Sequence, residues 1–570
     1  MSQQSRPTQV GRFLTSNVGP EDVFTREELT PEQRLFGQAA ADFMRREVTP
    51  VAARLYARDW PLTRELLRKA GDLDLLRLEI PEIYGGLGLD KRSAAYVAEQ
   101  IGVNPSFGGS IGAHTGIGTL PLLYFGTAAQ KARYLPRLAS GELVAAYALT
   151  EPGSGSDALA ARTTAVLSAD GGHYVLNGRK MWITNGGFAD LFTIFAKVDG
   201  TRLTGFLVER GMGVVSGPDE HKLGLDGSST TELILDDVRV PADHVLGTIG
   251  EGHKVAFNTL NLGRVKLGSR NLACAKAALG NAARYARERT QFGKPIGAFG
   301  LIQHKLAEMS LRCYVGDAMV YRTLGDVDRA LATVDPADGA AVLATIEPFA
   351  VECSINKVAS SEALAYVVDE ALQVFGGNGY SREFPAERPY RDARITRIYE
   401  GTNEINRMII PTRILRHGIP PDAIELPAGK GPAGSERGLL DAAKRLAVTM
   451  LGAAAAAYGE RVRDQQEVLA HLADVIIDGY ALESALARTE KLIARGAELA
   501  PIAADMTSVF AGDAADRIVH AAKQVAAALG DHGAATRDRL AAVAAHPGVD
   551  SVAARRRIAG AVLEAGQHPL

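Results

Sequence analysis

The sequence predicts an α+β chain built from four successive units: helical, β, helical and helical. Three observations predict it. Apolar residues recur at helical spacing up to about residue 141, and strand-like runs bounded by Gly and Pro replace them between 146 and 250. Helical periodicity then returns at His253 and holds, with one Pro/Gly-rich break, to residue 570. A chain of 570 residues also exceeds one ordinary domain and suggests three or four.

Residues 1–27 are polar and irregular and read as a flexible arm. A helical domain is expected over 28–145. Its first helix follows Thr30 as N-cap and Pro31 at the first helical position, with Phe36, Ala40 and Phe43 on one face. Glycine-rich loops at 84–88 and 108–118 interrupt it. The β domain is expected over 146–252. Asn177-Gly178 between two β-rich runs predicts a hairpin turn, and further runs lie at 191–198, 204–208 and 231–240. A second helical domain covers 253–417 and opens with a long helix whose small residues favour close packing. The stretch 418–437 reads as a linker, and 438–570 as an alanine-rich, all-α extension. LAEMSLRCYVGDAMVYRT at 306–323 aligns with LADVIIDGYALESALART at 472–489 at a constant offset of 166, keeping Tyr314/Tyr480, Arg322/Arg488 and Thr323/Thr489. That pairing reads the extension as a degenerate copy of the preceding helical domain.

Composition narrows the function. With 63 basic against 66 acidic side chains there is no electrostatic footprint for nucleic acid, and 46% apolar residues can fill large cores. Three cysteines without C-x-x-C spacing argue against a disulfide framework or a cysteine zinc site, and no metal is expected. No apolar secretory segment opens the chain, and 446–459 falls short of the roughly 18 residues of a membrane span. A soluble, cytoplasmic protein is expected.

Four segments carry chemistry beyond what packing needs. In AYALTEPGSGSDA (146–158), small residues free backbone N–H groups to approach an anion. In KMWITNGG (180–187), Trp182 beside Thr184 suits a flat aromatic ligand, although a core tryptophan is the common alternative. In RERTQFGKPIGAFGLIQ (287–303), Arg289 precedes a glycine-rich bend and could pair with a phosphate or simply face solvent. ALQVFGGNGY (371–380) is followed by RIYEGTNEINRM (397–408), where Glu400 stands just before a helix start. A carboxylate there can act as a general base or merely complement the helix dipole.

In this order, YALTEPGSGSDA, KMWITNGG, RTQFGKPI, QVFGGNGY and IYEGTNEINR resemble the successive signatures of the acyl-CoA dehydrogenase family over residues 28–415. NTLNLGR (258–264) and the extension resemble its very-long-chain and bacterial long-chain branch. The resemblance implies that family's fold, with an N-terminal helical domain, a central antiparallel β domain, a C-terminal four-helix domain and, here, the extra all-α unit. It implies FAD-dependent α,β-dehydrogenation of long-chain acyl-CoA to the trans-2-enoyl-CoA, the first step of fatty acid β-oxidation, with electrons passed to electron-transfer flavoprotein. Glu400 matches the base that removes the α proton. Some branches place the base immediately before Arg264, where this chain has Gly263, which cannot act.

By the same resemblance, FAD contacts fall on Tyr147, Leu149, Thr150, Ser156, Trp182, Ile183, Thr184, Gln373, Gly376, Gly377, Thr402 and Glu404. Arg289 and Gln291 match residues that reach the FAD of a neighbouring subunit. Substrate contacts fall on Ser156, Asn261, Arg264, Glu400 and Gly401. Two positions depart from the pattern: Gln291 stands where a hydroxyl residue is common, and Gly300 where many members carry a glutamine. The branch further implies a homodimer, because the extension covers a face that shorter members use to form tetramers. Membrane association is expected to be weak at most. Gly108, Gly109 and Gly112 hint at room for a long acyl chain. The rival readings are an acyl-CoA oxidase on the same scaffold, a non-catalytic respiratory-assembly member of the family, and a plain helical scaffold.

Overall fold

The structure, a computed structural model, describes residues 10–418 and 435–570. They group into two compact units, one of residues 29–273 with 327–347, the other of 10–28, 274–326, 348–418 and 435–570.

The longer helices ahead of the sheet in the first unit are α1 (Pro31–Phe43), α2 (Trp60–Asp72), α3 (Lys91–Ile101), α4 (Pro105–Ala113) and α5 (Ala128–Ala139). Each starts where a short polar side chain satisfies an otherwise orphaned backbone donor. Gln33 N–H donates to Thr30 Oγ1 (3.2 Å), Leu62 N–H to Asp59 (3.1 Å), Ser93 N–H to Asp90 (2.8 Å), Phe107 N–H to Asn104 (3.1 Å) and Gln130 N–H to Thr127 (3.2 Å). Pro occupies the first turn of α1, α2 and α4, where no N–H is needed.

The β part comprises β1 (Ala145–Ala148), β2 (Thr164–Leu167), β3 (His173–Thr184), β4 (Leu191–Val198), β5 (Arg202–Glu209), β6 (Val215–Asp219), β7 (Thr230–Pro241) and β8 (Val245–Leu246). Their order is β6-β7-β3-β2-β4-β5-β8, with β1 also paired to β4. Pairing is antiparallel except for β1 and β2, which both run parallel to β4. Phe192, Ile194 and Phe206 of the sheet share one core with Phe43, Leu66, Phe107 and Ile111 of the helices. His114 links the two textures: Ala145 N–H donates to its Nδ1 (3.0 Å), while Nε2 meets Leu138 O at 3.0 Å. Burial pushes its pKa down to about 4, so it stands neutral.

The hairpin expected at Asn177-Gly178 does not form. β3 runs straight through it, and the register against β7 slips between Leu176 and Gly178, a bulge. Asn177 exchanges hydrogen bonds with Asp237 across the strands instead of capping a turn. Gly178 is required there because a Cβ would fall 2.5 Å from Thr163 Oγ1.

The long helix α6 (Gly252–Glu288) begins in the first unit and ends in the second. The second unit contains α7 (Gly300–Leu331), α8 (Ala350–Phe375) and α9 (Asn403–His417), then α10 (Glu436–Tyr458), α11 (Gln466–Ala494), α12 (Ala500–Ala528), α13 (Ala534–Ala544) and α14 (Ser551–Ala565). One core, rich in alanine, runs through all of them. The expected linker falls mostly on 419–434, outside the described residues, and its last residues already belong to α10, capped by Ser435.

The sequence repeat at offset 166 lies at the α7–α11 contact, and its contacts are reciprocal. Tyr314 OH meets Thr489 Oγ1 and Tyr480 OH meets Thr323 Oγ1, both at 2.7 Å. The Arg488 guanidinium lies 4.3 Å over the Tyr314 ring, and that of Arg322 lies 4.2 Å over Tyr480. Such exchange of partners is what a two-fold relation between two similar surfaces produces.

Residues 10–27, expected to be a flexible arm, are instead held against this contact. Phe13, Leu14 and Val23 are buried. Glu27 pairs with Arg488, Val18 N–H donates to Glu483 (3.1 Å), and Lys444 Nζ donates to Ser16 O (2.8 Å). The polar composition that suggested a loose segment supplies partners for buried charges.

Candidate active site

In the first unit the two β motifs are bolted together by a buried ion pair. Lys180 Nζ lies 2.6 Å from Glu151 Oε1 and donates to Leu149 O (3.2 Å). Glu151 also accepts from Arg162 N–H (2.6 Å) and Thr163 N–H (3.1 Å). Burial alone would raise the Glu151 carboxyl, but the Lys180 charge and these donors hold it ionised, below its ordinary range. Met181 N–H donates to Thr150 O (2.8 Å), so Tyr147, Leu149 and Thr150 lie beside the end of β3.

Tyr147 and Leu149 are buried, Thr150 is half-buried, and Ser156 is exposed on the glycine-rich loop. The β3–β7 register slips again between Lys180 and Ile183, and within that slip Trp182 takes a left-handed φ of 61°. Its indole is 54% exposed, which excludes the core-tryptophan reading. Ile183 is buried and Thr184 half-buried beside it. On α6, Asn261 and Arg264 are both buried, with Arg264 Nη1 donating to Asn261 Oδ1 (2.9 Å).

The second unit carries the remaining motifs. Arg289 and Gln291 are exposed on a small hairpin with Phe292 at its tip, 93% exposed. Tyr285, one turn earlier, stacks on Phe375 at 4.2 Å and accepts from Asn378 Nδ2 (2.9 Å), drawing the end of α6 to the VFGGNG turn. Gln373, Gly376 and Gly377 are exposed at the end of α8, and a Cβ at either glycine would meet open space.

Glu400 is half-buried in a left-handed conformation, φ 56°, followed by Gly401 at φ 85°. Only a well-braced turn holds a glutamate there. Thr402 caps α9 by accepting from Ile405 N–H (3.2 Å), and Asn406 Nδ2 donates to Gly401 O (2.8 Å) and Thr402 O (3.0 Å). Lys357, fully buried on α8, donates to Asn403 Oδ1 (2.7 Å). Glu404 is exposed, and its own backbone N–H and the Thr402 hydroxyl hold its carboxyl below the ordinary range. The bracing residues Glu151, Lys180, Lys357, Asn403 and Asn406 were not singled out in the sequence. No local signal marks them: in Ser354-Ile355-Asn356-Lys357-Val358 the lysine stands among polar neighbours, as a surface lysine would.

Comparison with known proteins identifies the scaffold. Residues 30–142, 146–238 and 250–415 match the N-terminal, middle and C-terminal domains of acyl-CoA dehydrogenases, and 442–544 match a further acyl-CoA dehydrogenase C-terminal domain. A probable acyl-CoA dehydrogenase of Bacillus subtilis is 44% identical over 538 residues, 90% of each chain. The chain belongs to the acyl-CoA dehydrogenase family. The human mitochondrial very long-chain specific acyl-CoA dehydrogenase is 39% identical over 405 residues, 68% of this chain and 60% of that one. A crystal structure of an acyl-CoA dehydrogenase from Bacillus anthracis, complexed with FAD, superposes with a TM-score of 0.96 at 42% identity, covering 99% of this chain and 100% of that one.

As in other acyl-CoA dehydrogenases, the β part stands between helical domains, and the extension is a further helical domain. Among the described residues no helix is long and apolar enough to cross a membrane. The room read from the glycines of α4 is partly taken. A Cβ at Gly112 would fall 1.3 Å from Arg270 Nη1, and that guanidinium donates to Gly108 O (3.1 Å).

Proposed function

We propose that this protein is an FAD-dependent dehydrogenase of long-chain acyl-CoA, with Glu400 as its catalytic base. The observation that carries this is the Glu400 turn: a carboxylate in a left-handed conformation, with the backbone that follows it held by Thr402 and Asn406. Strain of this kind costs about 1–3 kcal/mol and persists where the position of the side chain matters.

The residues present suit FAD. An exposed indole on a bulged strand offers a flat apolar face, Thr184 two residues on and Thr150, bonded through its carbonyl to Met181 N–H, offer polar groups, Ser156 stands exposed on the glycine-rich loop, and open glycines at 376 and 377 let a backbone approach a phosphate. By resemblance, Tyr147, Leu149, Thr150, Ser156, Trp182, Ile183, Thr184, Gln373, Gly376, Gly377, Thr402 and Glu404 are assigned to the cofactor. Arg289 and Gln291 are assigned to the FAD of a second subunit in a homodimer. When bound, FAD supplies the acceptor for the hydride that leaves Cβ.

Glu400 takes the α proton, and the electron pair of that C–H bond becomes the new double bond. The α C–H of a thioester is a weak acid, so N–H donors must meet the carbonyl oxygen as enolate charge develops. The Glu400 backbone N–H is assigned this role. Ser156, Asn261, Arg264 and Gly401 are assigned to the substrate.

The named very long-chain relatives support a long-chain substrate. Electron-transfer flavoprotein as acceptor and a homodimer are carried over from the family resemblance, and a cytoplasmic location from the sequence reading. The reciprocal α7–α11 contacts support reading 438–570 as a degenerate copy of 253–417.

The test is anaerobic loss of visible flavin absorbance on adding octanoyl-, palmitoyl- or stearoyl-CoA to wild type and to Glu400→Gln. Palmitoyl- and stearoyl-CoA should bleach the wild type, and the variant should be slower by about a thousandfold or more. Bound flavin that no acyl-CoA bleaches would overturn the reading and favour an assembly role.

A further inference from the structure

The reciprocity of the α7–α11 contact extends to two ion triads. In one, Arg407 of α9 donates to Glu362 of α8 (2.6 and 3.0 Å) and to Asp474 of α11 (2.8 Å). In the other, Arg555 of α14 donates to Asp513 of α12 (2.6 Å) and to Glu308 of α7 (2.7 Å). Glu308 and Asp474 are partners in the 166-residue repeat. Each triad therefore joins an arginine on a late helix of one half to an acid on its own half and an acid on the other half.

The triads differ in what their arginine helix carries. Arg407 sits on the second turn of α9, whose first turn braces Glu400. Glu362 completes the link: its Oε1 accepts from Arg407 Nη1 and also from Asn403 Nδ2 (3.0 Å). Asn403 in turn accepts from the buried Lys357. A continuous set of charge-assisted bonds thus runs from Asp474 through Arg407 and Glu362 to a residue three places after Glu400. Arg555 lies on a helix with no such turn.

We propose that Asp474, in the C-terminal extension, is a positioning residue for the base: through Arg407 and Glu362 it holds the head of α9 in the orientation that aims Glu400. The extension then acts in proton abstraction as well as in packing. This rests on Glu400 being the base. Neutralising Asp474 leaves Arg407 pulling on Glu362 alone, and Glu362 shifts its share of bonding away from Asn403.

The mirror triad supplies the control. Arg555 and Asp513 are no more exposed than Arg407 and Asp474, with side-chain exposures of 10% and 37% against 20% and 41%. Disrupting the mirror should therefore cost at least as much stability. On the full-length FAD-loaded protein, Asp474→Asn, Asp474→Glu and Asp513→Asn are compared by single-turnover bleaching with palmitoyl-CoA, by KM, by thermal unfolding and by hydrogen exchange of amides 400–406. Asp474→Asn should slow bleaching about tenfold with KM within twofold, and should speed exchange at 400–406. Asp474→Glu should restore the rate, while Asp513→Asn lowers the unfolding temperature and leaves rate and exchange unchanged. Equal rates for Asp474→Asn and wild type, or equal slowing by Asp513→Asn, would overturn the proposal. A wild type that no acyl-CoA bleaches refutes the functional reading instead, and the exchange pattern then decides whether Asp474 braces this turn.

Discussion

Replacing Lys180 by Met tests whether the ion pair between the two β motifs holds them together. The Lys180 side chain is fully buried and Glu151 nearly so, with Nζ 2.6 Å from Oε1. Removing one partner of a buried pair costs about 3–5 kcal/mol, because the other charge is left in a poor solvent. Glu151 would keep its N–H donors at Arg162 and Thr163, but these neutralise no charge. It can escape by protonating, so its folded pKa rises above the unfolded value. Stability is then retained at low pH and lost as pH rises through that folded pKa. Each unit of such a shift is worth about 1.4 kcal/mol, so the deficit should shrink by about 2–3 kcal/mol between pH 8 and pH 6. Urea unfolding at both pH values measures it, and flavin content after purification reports whether the FAD contacts proposed at Trp182 and Thr150 survive. The double variant Glu151→Gln/Lys180→Met should recover most of the loss, since neither residue is then charged. A deficit below about 1 kcal/mol, one that is the same at both pH values, or a double variant no better than the single one would refute the reasoning.

Two further outcomes follow from buried charges in the second unit. Glu483 accepts from Arg322 (2.8 Å), from Lys444 and from Val18 N–H (3.1 Å), so Glu483→Gln should destabilise this unit by about 3–5 kcal/mol. Limited proteolysis should then cut faster near residues 10–27; equal cutting would show that the arm is held by its apolar residues alone. Burial, with a smaller contribution from nearby Asp326, pushes the Glu352 carboxyl up to about 7. A raised carboxyl favours the fold below its unfolded pKa and is lost as an advantage when pH climbs through 7. Glu352→Gln should therefore match wild type near pH 4 and exceed it by about 3 kcal/mol at pH 8 in chemical denaturation; a pH-independent difference would contradict the assignment.

Much of the fold was legible because it rests on local chemistry. Thr30 and Pro31 announce α1 through a cap and a pre-set φ, and the β-rich runs at 191–198 and 231–240 announce β4 and β7. Local chemistry also misled. Asn177-Gly178 is the preferred dipeptide of a two-residue turn, yet β7 pairs with β3 on both sides of it and makes it a bulge. Residues 10–27 have the composition of a loose tail and become ordered because Arg488, Lys444 and Glu483 need partners in a dry interior.

The sequence by itself determined the family, the order of the domains and Glu400 as the candidate base, since ordered motifs and periodicity are properties of the chain alone. The repeat at offset 166 was likewise visible as matching side chains. Only the tertiary structure decided what those side chains do. It showed Trp182 exposed on a bulge, Lys180 buried against Glu151, and Arg270 filling the space beside Gly112. It also turned the repeat into reciprocal contacts and joined Asp474 to the helix behind Glu400. The reason is physical: burial and pairing depend on which residues meet across tens or hundreds of positions, and no local pattern records those meetings.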